Sequence, residues 1–203
     1  MVQRRPRLQL HREDGRPWQA LAHPMELLRG ATVTLRQTSE DDLDLLTRWF
    51  SDPAIYEWWG GSPLRRDVVA EKYIGRRRPA VESLIIEAEG KPVGYVQYHQ
   101  GFEAYHGADE GGIDMFVAPD ARRRGLGSDA AETLVRHLLS ERGWSRVTVD
   151  PAKNNPRALR FWRECGFQYE RDVDSRGPAE LLSVRQQIGD SPIGPNGAGL
   201  SRW

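Results

Sequence analysis

The chain has 203 residues, a length that suits one domain with or without a short appendage. Lysine plus arginine and aspartate plus glutamate both number 29, so no basic field favours a nucleic-acid partner. The single cysteine, Cys165, excludes an internal disulfide and a cysteine-based zinc site. No apolar stretch is long enough to span a membrane. We therefore predict a cytoplasmic protein without a metal.

Composition divides the chain into three parts. Residues 1–30 begin polar and Arg-rich and then carry spaced apolar side chains, which fits either a packed appendage or a disordered leader. Residues 31–187 carry the regular patterns of one folded domain, which we expect to be a monomer or a homodimer. Residues 188–203 are rich in Gly, Pro, Ser and Asn, a composition typical of a disordered tail.

The domain begins with a strand and a helix. Residues 31–37 alternate apolar and polar side chains, which predicts a strand with one buried face. Thr38 or Ser39 then caps a helix that ends at Asp52-Pro53.

Two adjacent tryptophans, Trp58 and Trp59, follow in a segment that we predict to be extended or turned. Neighbouring side chains of such a segment point to opposite sides, so at least one indole is not simple core. A second short helix over 68–74 carries Tyr73, and strands over 83–88 and 92–99 form a hairpin.

Gly94, inside the second hairpin strand, indicates a bulge or a close backbone neighbour.

The second half of the domain alternates strands and helices. We predict strands over 113–117, 146–149, 167–172 and 180–185, with one helix to about Arg142 and another capped by Asn154 or Asn155. The helix between the strands at 113–117 and 146–149 makes those strands parallel neighbours. The sequence therefore predicts an α/β fold with a mixed, partly parallel central sheet flanked by helices, and a ligand at that junction.

A glycine-bearing loop joins the strand at 113–117 to its helix. It reads Arg122-x-x-Gly125-x-Gly127, and Arg123 and Arg124 add positive charge. Unpaired N–H groups at a helix N-terminus bind anions, and glycines allow a phosphate to approach the backbone. The spacing matches neither a Walker loop nor a dinucleotide fingerprint, and an ordinary basic turn is the alternative.

This loop, placed between a strand and a helix, resembles the pyrophosphate loop of the GNAT superfamily of acyl-CoA-dependent N-acyltransferases, whose order of segments is similar over residues 31–187. The helix that carries Arg157-Ala158, Phe161-Trp162 and Cys165-Gly166-Phe167 also looks like the closing helix of that superfamily.

The chain is more specifically similar to the aminoglycoside 6′-N-acetyltransferases. The similarity rests on five short segments: Glu57-Trp58-Trp59-Gly60-Gly61, Pro92-Val93-Gly94-Tyr95-Val96-Gln97, Gly112-Ile113-Asp114, Asp150-Pro151 with Asn155-x-Arg157-Ala158, and Gly177-Pro178-Ala179.

The chain departs from the family at two positions. Trp162 stands where the superfamily often has a tyrosine that protonates the departing thiolate, and an indole N–H is not such an acid. Arg176 stands where the resistance enzymes tend to carry an acidic residue, and an arginine there repels a polycationic drug.

Acyl transfer to an amine requires a base, donors for the carbonyl oxygen and a leaving thiolate. We assign the base to Asp114, for which a structural ion pair is the alternative. The resemblance implies that acetyl-CoA is held by the main chain of Phe116 and Val117, by Asn155 and Trp162, and by the loop residues Arg122, Arg123, Arg124, Gly125, Leu126, Gly127 and Ser128.

We expect the cationic amine to contact five residues, namely Glu57, Trp58, Trp59, Tyr73 and Asp150. Glu103, Asp109 and Glu110 could add an acidic rim, although a solvated loop fits them slightly better. Asp150 could also be only a turn residue before Pro151.

The leading prediction is an acetyl-CoA-dependent N-acetyltransferase for a primary amine of an aminoglycoside. The first alternative keeps the fold and changes the amine to a hydroxylated lysine in siderophore assembly, a polyamine or a protein N-terminus. The second alternative is a weakly catalytic acyl-CoA-binding module, which Trp162 supports.

Overall fold

A computed structural model of the protein describes residues 27–100, 107, 109–174 and 177–186. Most of the predicted appendage and all of the predicted tail lie outside these residues, as do Glu103 and Arg176. No helix in the described part of the chain is long and apolar enough to cross a membrane.

Within the described residues, eight strands form one sheet in the order β1-β2-β3-β4-β5-β6-β8-β7. The strands are β1 (Leu28–Arg29), β2 (Thr34–Gln37), β3 (Val81–Ala88), β4 (Lys91–Gln100), β5 (Glu110–Val117), β6 (Arg146–Val149), β7 (Gln168–Asp174) and β8 (Pro178–Arg185). The α-helices are α1 (Leu43–Trp49), α2 (Pro53–Trp59), α3 (Arg66–Lys72), α4 (Leu126–Arg136) and α5 (Pro156–Glu164).

Among the named strands, β5 and β6 form the one parallel pair. Helix α4 is the crossover between them, as the sequence predicted. The mixed, partly parallel sheet with flanking helices is therefore confirmed.

The sheet has a different apolar core on each face. One core is mostly aliphatic and packs β-strand residues such as Val96 and Ile113 against α4 and α5. The other is largely aromatic and packs Tyr95 and Phe116 against α1, α2 and α3. Because side chains alternate along a strand, β4 and β5 supply residues to both cores.

Gly94 has both features that its position in a strand indicated. The pairing of β3 with β4 shifts register beside Ile86, whose partner is Gly94. A side chain at Gly94 would meet the main-chain oxygen of Phe116, in β5, at 2.5 Å. Strands β4 and β5 therefore approach too closely at this point for any residue other than glycine.

The first helical region differs from its prediction. A short 3₁₀ turn over Glu40–Asp42 leads into α1, which ends before Asp52-Pro53. The Asp52 side chain then accepts a hydrogen bond from Ala54 N, with Pro53 in the first turn, and starts α2. The prediction that the tryptophan pair lies in an extended or turned segment was wrong, because Asp-Pro ends one helix and begins the next.

The second half of the domain follows its prediction closely. Helix α4 continues as a π-helical turn over His137–Glu141, close to the predicted end near Arg142. Strand β6 has the predicted bounds. Asn155 caps α5 through a hydrogen bond from Ala158 N, with Pro156 in the first turn.

Candidate active site

The parallel strands β5 and β6 diverge partway along their length. Their paired residues are Glu110 with Arg146, Gly111 with Val147, and Gly112 with Thr148. Beyond Gly112, β5 continues to Val117 beside β4, whereas β6 continues beside β8. The second half of β5 therefore borders a gap in the sheet, at the junction where an open α/β sheet binds its ligand.

The backbone of β5 offers hydrogen-bonding groups to this gap. The carbonyl oxygens of Gly111 and Val117 accept hydrogen bonds from Thr148 Oγ1 and Arg122 Nε, whereas the N–H of Ala118 binds Val93 of β4. Backbone groups alternate in direction along a strand. The N–H groups that face the gap are consequently those of Met115 and Val117.

The main chain of Phe116, for which we predicted a contact with acetyl-CoA, faces the other way. The same alternation directs its N–H toward β4, where Phe116 stands opposite Tyr95. Its ring is 9% exposed and belongs to the aromatic core.

The loop after β5 combines positive charge with a special backbone shape. Gly125 has a φ of +77° and is the N-cap of α4, and Arg123 has a φ of +63°. Left-handed residues within a turn make concave sets of N–H groups that bind anions. Nothing lies within 4 Å of the position of a side chain at Gly125, so its surroundings are open.

Gly127 is needed for a different reason. A side chain there would lie 3.2 Å from Val117 Cγ2 and 3.3 Å from Phe161 Cε2, so this glycine lets α4 start close to β5 and α5. Leu126 is buried in the aliphatic core, and only its backbone belongs to the loop.

Ser128, in the first turn of α4, forms a hydrogen bond with the thiol of Cys165. Burial raises the pKa of that thiol, and the hydrogen bond offsets part of the rise. The thiol is therefore held protonated and behaves as a packing group.

Arg122 braces the loop instead of standing free to meet a phosphate. Its Nε donates to Val117 O at 2.9 Å and its Nη2 donates to Ala54 O at 3.0 Å, which ties the end of β5 to α2. Burial and the neighbouring Arg157 lower the pKa of this guanidinium. Arg124 pairs with Glu89 at 3.3 Å on the surface, and Arg123 is exposed.

Two carboxylates lie just beyond the paired part of β5 and β6. Asp114 and Asp150 each lie two residues beyond the last paired residues of β5 and β6, Gly112 and Thr148. Side chains two positions apart in a strand share a face, so Asp114 lies on the Phe116 face of the sheet, and Asp150 directly follows β6. Asp114 Oδ2 accepts a hydrogen bond of 2.8 Å from Gln97 Nε2.

The segment that follows Asp150 is held by the start of β8. Pro151 O accepts from Glu180 N, Lys153 N donates to Pro178 O, and Ala152 bridges Ala179. Two segments of the family resemblance, Asp150-Pro151 and Gly177-Pro178-Ala179, are thus neighbours in space.

Helix α2 presents its two tryptophans differently. Trp59 is half-buried in the aromatic core, whereas Trp58 is 51% exposed. Glu57 is exposed on the same helix. On a helix, adjacent side chains are about 100° apart, so one indole packs while the other remains at the surface. The expectation that one indole is not core is confirmed, although the predicted backbone was wrong.

Tyr73 lies deeper than predicted. It is 9% exposed, its ring centroid is 4.4 Å from that of Phe50, and its hydroxyl accepts a hydrogen bond from Trp59 Nε1 at 3.1 Å. Tyr73 therefore supports Trp59 from within the aromatic core.

The suggested acidic rim is not formed by Glu110. Its carboxylate pairs with Arg146 and accepts a hydrogen bond from Gly107 N at the start of β5. Burial alone would raise the pKa of Glu110, but these partners hold it below its ordinary value. Asp109 is exposed, and its main-chain oxygen accepts from Ser145 N at 2.9 Å.

The two predicted cofactor residues of α5 have structural roles. Asn155 Oδ1 caps the helix, which leaves the two N–H groups of its amide for a ligand. Trp162 is 6% exposed and lies in the aliphatic core, with its ring 4.9 Å from Phe161 and 5.1 Å from Phe167. The inner face of α5 turns this ring toward the sheet, and the predicted contact of Trp162 with the cofactor stays a prediction.

Sequence reasoning missed Met115 and Gln97. Met115 could have been found from the sequence, because the N–H groups of residues two apart in a strand, such as Met115 and Val117, point the same way. Gln97 stands opposite Asp114 in the register of β4 with β5, and only that pairing reveals it.

In the described residues, no group of three or more His, Cys, Asp or Glu side chains could hold a metal ion.

Comparison with known proteins shows the family of this chain. A family model described as an acetyltransferase (GNAT) domain matches residues 38–175. The aminoglycoside N(6')-acetyltransferase type 1 of Klebsiella pneumoniae is 32% identical over 169 residues, which cover 77% of this chain and 84% of that protein.

Solved structures show the same fold. The structure of AAC(6')-Ib in complex with ribostamycin and coenzyme A has a TM-score of 0.71 at 28% identity and covers 79% of this chain and 99% of that chain. The spermidine N-acetyltransferase of Vibrio cholerae in complex with coenzyme A and spermine has a TM-score of 0.67 at 18% identity and covers 77% and 96% of the two chains, a likeness of fold alone.

The chain belongs to the GNAT acetyltransferase family, whose model spans well over half of its length.

Proposed function

We propose that this protein transfers the acetyl group of acetyl-CoA to the 6′-amine of an aminoglycoside. The observation that carries the proposal is the pair of carboxylates, Asp114 and Asp150, each two residues beyond the last paired residues of β5 and β6. Two carboxylates and an exposed indole, Trp58, suit a polycationic sugar. The relatives that are 32% identical carry this activity in their name.

The donor is held mainly by backbone groups. The diphosphate lies against the N-terminus of α4, where Gly125 and Arg123 shape the loop and the first N–H groups of the helix are unpaired. The pantetheine arm lies along β5, and the N–H groups of Met115 and Val117 bind its polar groups and the thioester oxygen.

Asp114 accepts the proton that the attacking amine loses, directly or through water. The amine nitrogen forms a bond to the thioester carbonyl carbon, and the negative charge on the oxygen is stabilised by the N–H groups of β5. The carbon–sulfur bond then breaks and the amide product forms. Asp150 and Trp58 hold the rest of the cationic substrate.

The departing thiolate takes its proton from water. The superfamily's tyrosine position is occupied by Trp162, which is buried and has no acidic proton to give. A thiol has a reference pKa of about 8.5, so its thiolate is a tolerable leaving group near neutral pH. We place the reaction in the cytoplasm, where a free thiol such as Cys165 stays reduced.

A thiol-release assay with acetyl-CoA tests the proposal. Neomycin and paromomycin form a matched pair of acceptors, since they differ in a 6′-amine and a 6′-hydroxyl. We expect thiol release with neomycin and kanamycin, and a rate near background with paromomycin.

Spermidine and hydroxylated lysine complete the panel. Equal rates with neomycin and paromomycin would contradict the 6′ position, and a preference for spermidine or the lysine derivative would replace the aminoglycoside with that amine. Acetyl-CoA binding without thiol release for any acceptor would make the protein a binding module.

A further inference from the structure

A chain of hydrogen bonds runs through the sheet from β3 to Asp114. Tyr95 Oη lies 2.8 Å from Ser83 Oγ and 3.0 Å from Gln97 Oε1. Gln97 Nε2 in turn lies 2.8 Å from Asp114 Oδ2. The register explains the contact, because Ser83, Gln97 and Asp114 stand opposite one another on β3, β4 and β5.

The chain is buried except at its last member. Tyr95, Ser83 and Gln97 are 0%, 1% and 8% exposed, whereas Asp114 is partly exposed. A polar group buried in an apolar core costs free energy unless it is hydrogen-bonded. Three buried polar side chains that lead to one half-exposed carboxylate therefore suggest a role at that carboxylate.

The positions of the protons follow from the chemistry of the groups. Gln97 Oε1 can only accept, so the single hydroxyl proton of Tyr95 goes to it, and the Ser83 hydroxyl donates to the Tyr95 oxygen. Burial raises the pKa of Tyr95 far above its ordinary value, so this phenol remains a donor whenever the protein is folded. With Oε1 bound to Tyr95, the amide directs Nε2 toward the carboxylate.

Aromatic packing fixes the phenol itself. The Tyr95 ring stacks on Phe116 at 5.7 Å and meets Phe50, Trp59 and Tyr73 edge-on at 5.7 to 5.9 Å. Neither ring nor hydroxyl can move without disturbing this core. The hydroxyl is therefore a fixed point from which the amide of Gln97 is oriented.

We propose that Tyr95 is a positioning residue for Asp114 that acts through Gln97. Donors aligned in one direction strengthen one another, so the aligned chain holds the carboxylate in one rotamer, ready for the amine. This inference rests on the proposed function, in which Asp114 accepts the amine proton.

Tyr95→Phe is the main test, because it removes one oxygen and keeps the ring contacts. We expect kcat to fall about 10-fold, with the acetyl-CoA Kd and the KM for the amine nearly unchanged, since the lost interaction serves the reacting geometry and not binding. Tyr98→Phe is the matched control. Tyr98 is also a buried tyrosine of β4, but it lies on the opposite face against Trp144. This control should leave kcat unchanged.

A double-mutant cycle separates positioning from general stability. Gln97→Met should lower kcat at least as far as Tyr95→Phe, and adding Tyr95→Phe to Gln97→Met should cause no further loss, because the effect passes through Gln97. If Tyr95→Phe lowered kcat by the same factor in the wild-type protein and in the Gln97→Met variant, the proposal would be overturned. A wild-type kcat for Gln97→Met would also overturn it, even if Tyr95→Phe did not fold.

Asp114→Asn distinguishes failure of the inference from failure of the proposed function. If Asp114→Asn keeps the wild-type rate, the assignment of the base is wrong and the chain has nothing to position. If Asp114→Asn is slow while Tyr95→Phe is fast, the base stands and the role of Tyr95 is refuted.

Discussion

The two sides of the proposed cleft consist of different chemical groups. Toward the donor, the groups are mostly backbone: the N–H groups of β5 and the N-terminus of α4, shaped by Gly125. On the proposed amine side, they are side chains: Asp114 in β5, Asp150 directly after β6, and Trp58 on α2. A backbone site depends on chain shape and charge, whereas a side-chain site depends on which face of the sheet each residue occupies. Substitutions on the two sides should therefore have different effects on binding and rate.

The largest effect is expected on the donor side. Gly125→Asp places a carboxylate where we propose that the donor's phosphates lie, in a residue with a φ of +77°. A like-charge contact costs several kcal/mol, so the affinity for acetyl-CoA should fall about 1,000-fold. Isothermal titration calorimetry on the folded variant measures it.

Gly125→Asn is the matched control, because asparagine tolerates left-handed backbone and adds no charge. A loss in Gly125→Asn as large as that in Gly125→Asp would assign the effect to backbone shape instead of phosphate repulsion.

On the amine side, the two carboxylates should separate rate from binding. Asp114→Asn keeps the shape of the side chain and removes its charge, so kcat should fall about 100-fold, the usual scale for a general base. Asp150→Asn should instead raise the KM for the aminoglycoside, because the proposed role of Asp150 is to hold the cation. Steady-state kinetics with acetyl-CoA saturating gives both constants. Identical effects of the two variants on kcat and KM would mean that the carboxylates do not have separate roles.

A variant outside the cleft should lower the stability of the fold by a smaller amount and leave both sides of the cleft unchanged. Asp129, two residues after Gly127, accepts hydrogen bonds from Ala31 N, Thr32 N, Thr32 Oγ1 and Val33 N, and so ties the turn between β1 and β2 to α4. Asp129→Asn should lower the free energy of unfolding by about 1.5 kcal/mol, because a charged acceptor is lost, without changing the acetyl-CoA Kd. Urea unfolding at pH 7 measures the loss.

The same variant has a defined pH dependence. Partial burial alone would raise the pKa of Asp129, but the hydrogen bonds from Thr32, Ala31 and Val33 hold it below its ordinary value. A carboxylate whose pKa is lower in the folded state stabilises the fold above its unfolded pKa, and this contribution disappears as the pH falls through the folded value. The gap between wild type and Asp129→Asn should therefore close in acid. A gap that is constant down to pH 2 would show that the charge of Asp129 is not the cause.

The smallest effect is expected at Trp162. The indole is buried between Phe161 and Phe167 and supplies no proton, so Trp162→Phe should keep kcat within about two-fold while lowering the melting temperature. Trp162→Tyr is the informative partner, because it restores the superfamily's acid. A several-fold rise in kcat would show that thiolate protonation limits the native enzyme, and loss of activity in both variants would give the indole a role of its own.

The sequence predicted the backbone around the glycine loop and the start of α5 better than it predicted helix α2. Glycine spacing and the Asn155-Pro156 helix start report local backbone geometry, so the loop before α4 and the start of α5 could be placed from the chain alone. Trp58 and Trp59 could not be assigned correctly, because Asp52-Pro53 satisfies the rules for both a helix end and a helix start.

What the sequence alone determined is the order of segments, the crossover helix, the parallel strand pair and the loop at its end. These follow from periodicity and turn chemistry, which act over a few residues. What only the tertiary structure decided is which side chains share the cleft. The register of three strands joins Gln97 and Tyr95 to Asp114. The alternating direction of backbone groups along β5 turns the N–H of Met115, and not that of Phe116, toward the gap. The inner face of α5 buries Trp162. Such pairings join residues far apart in the chain and depend on packing across the sheet, which no local pattern encodes.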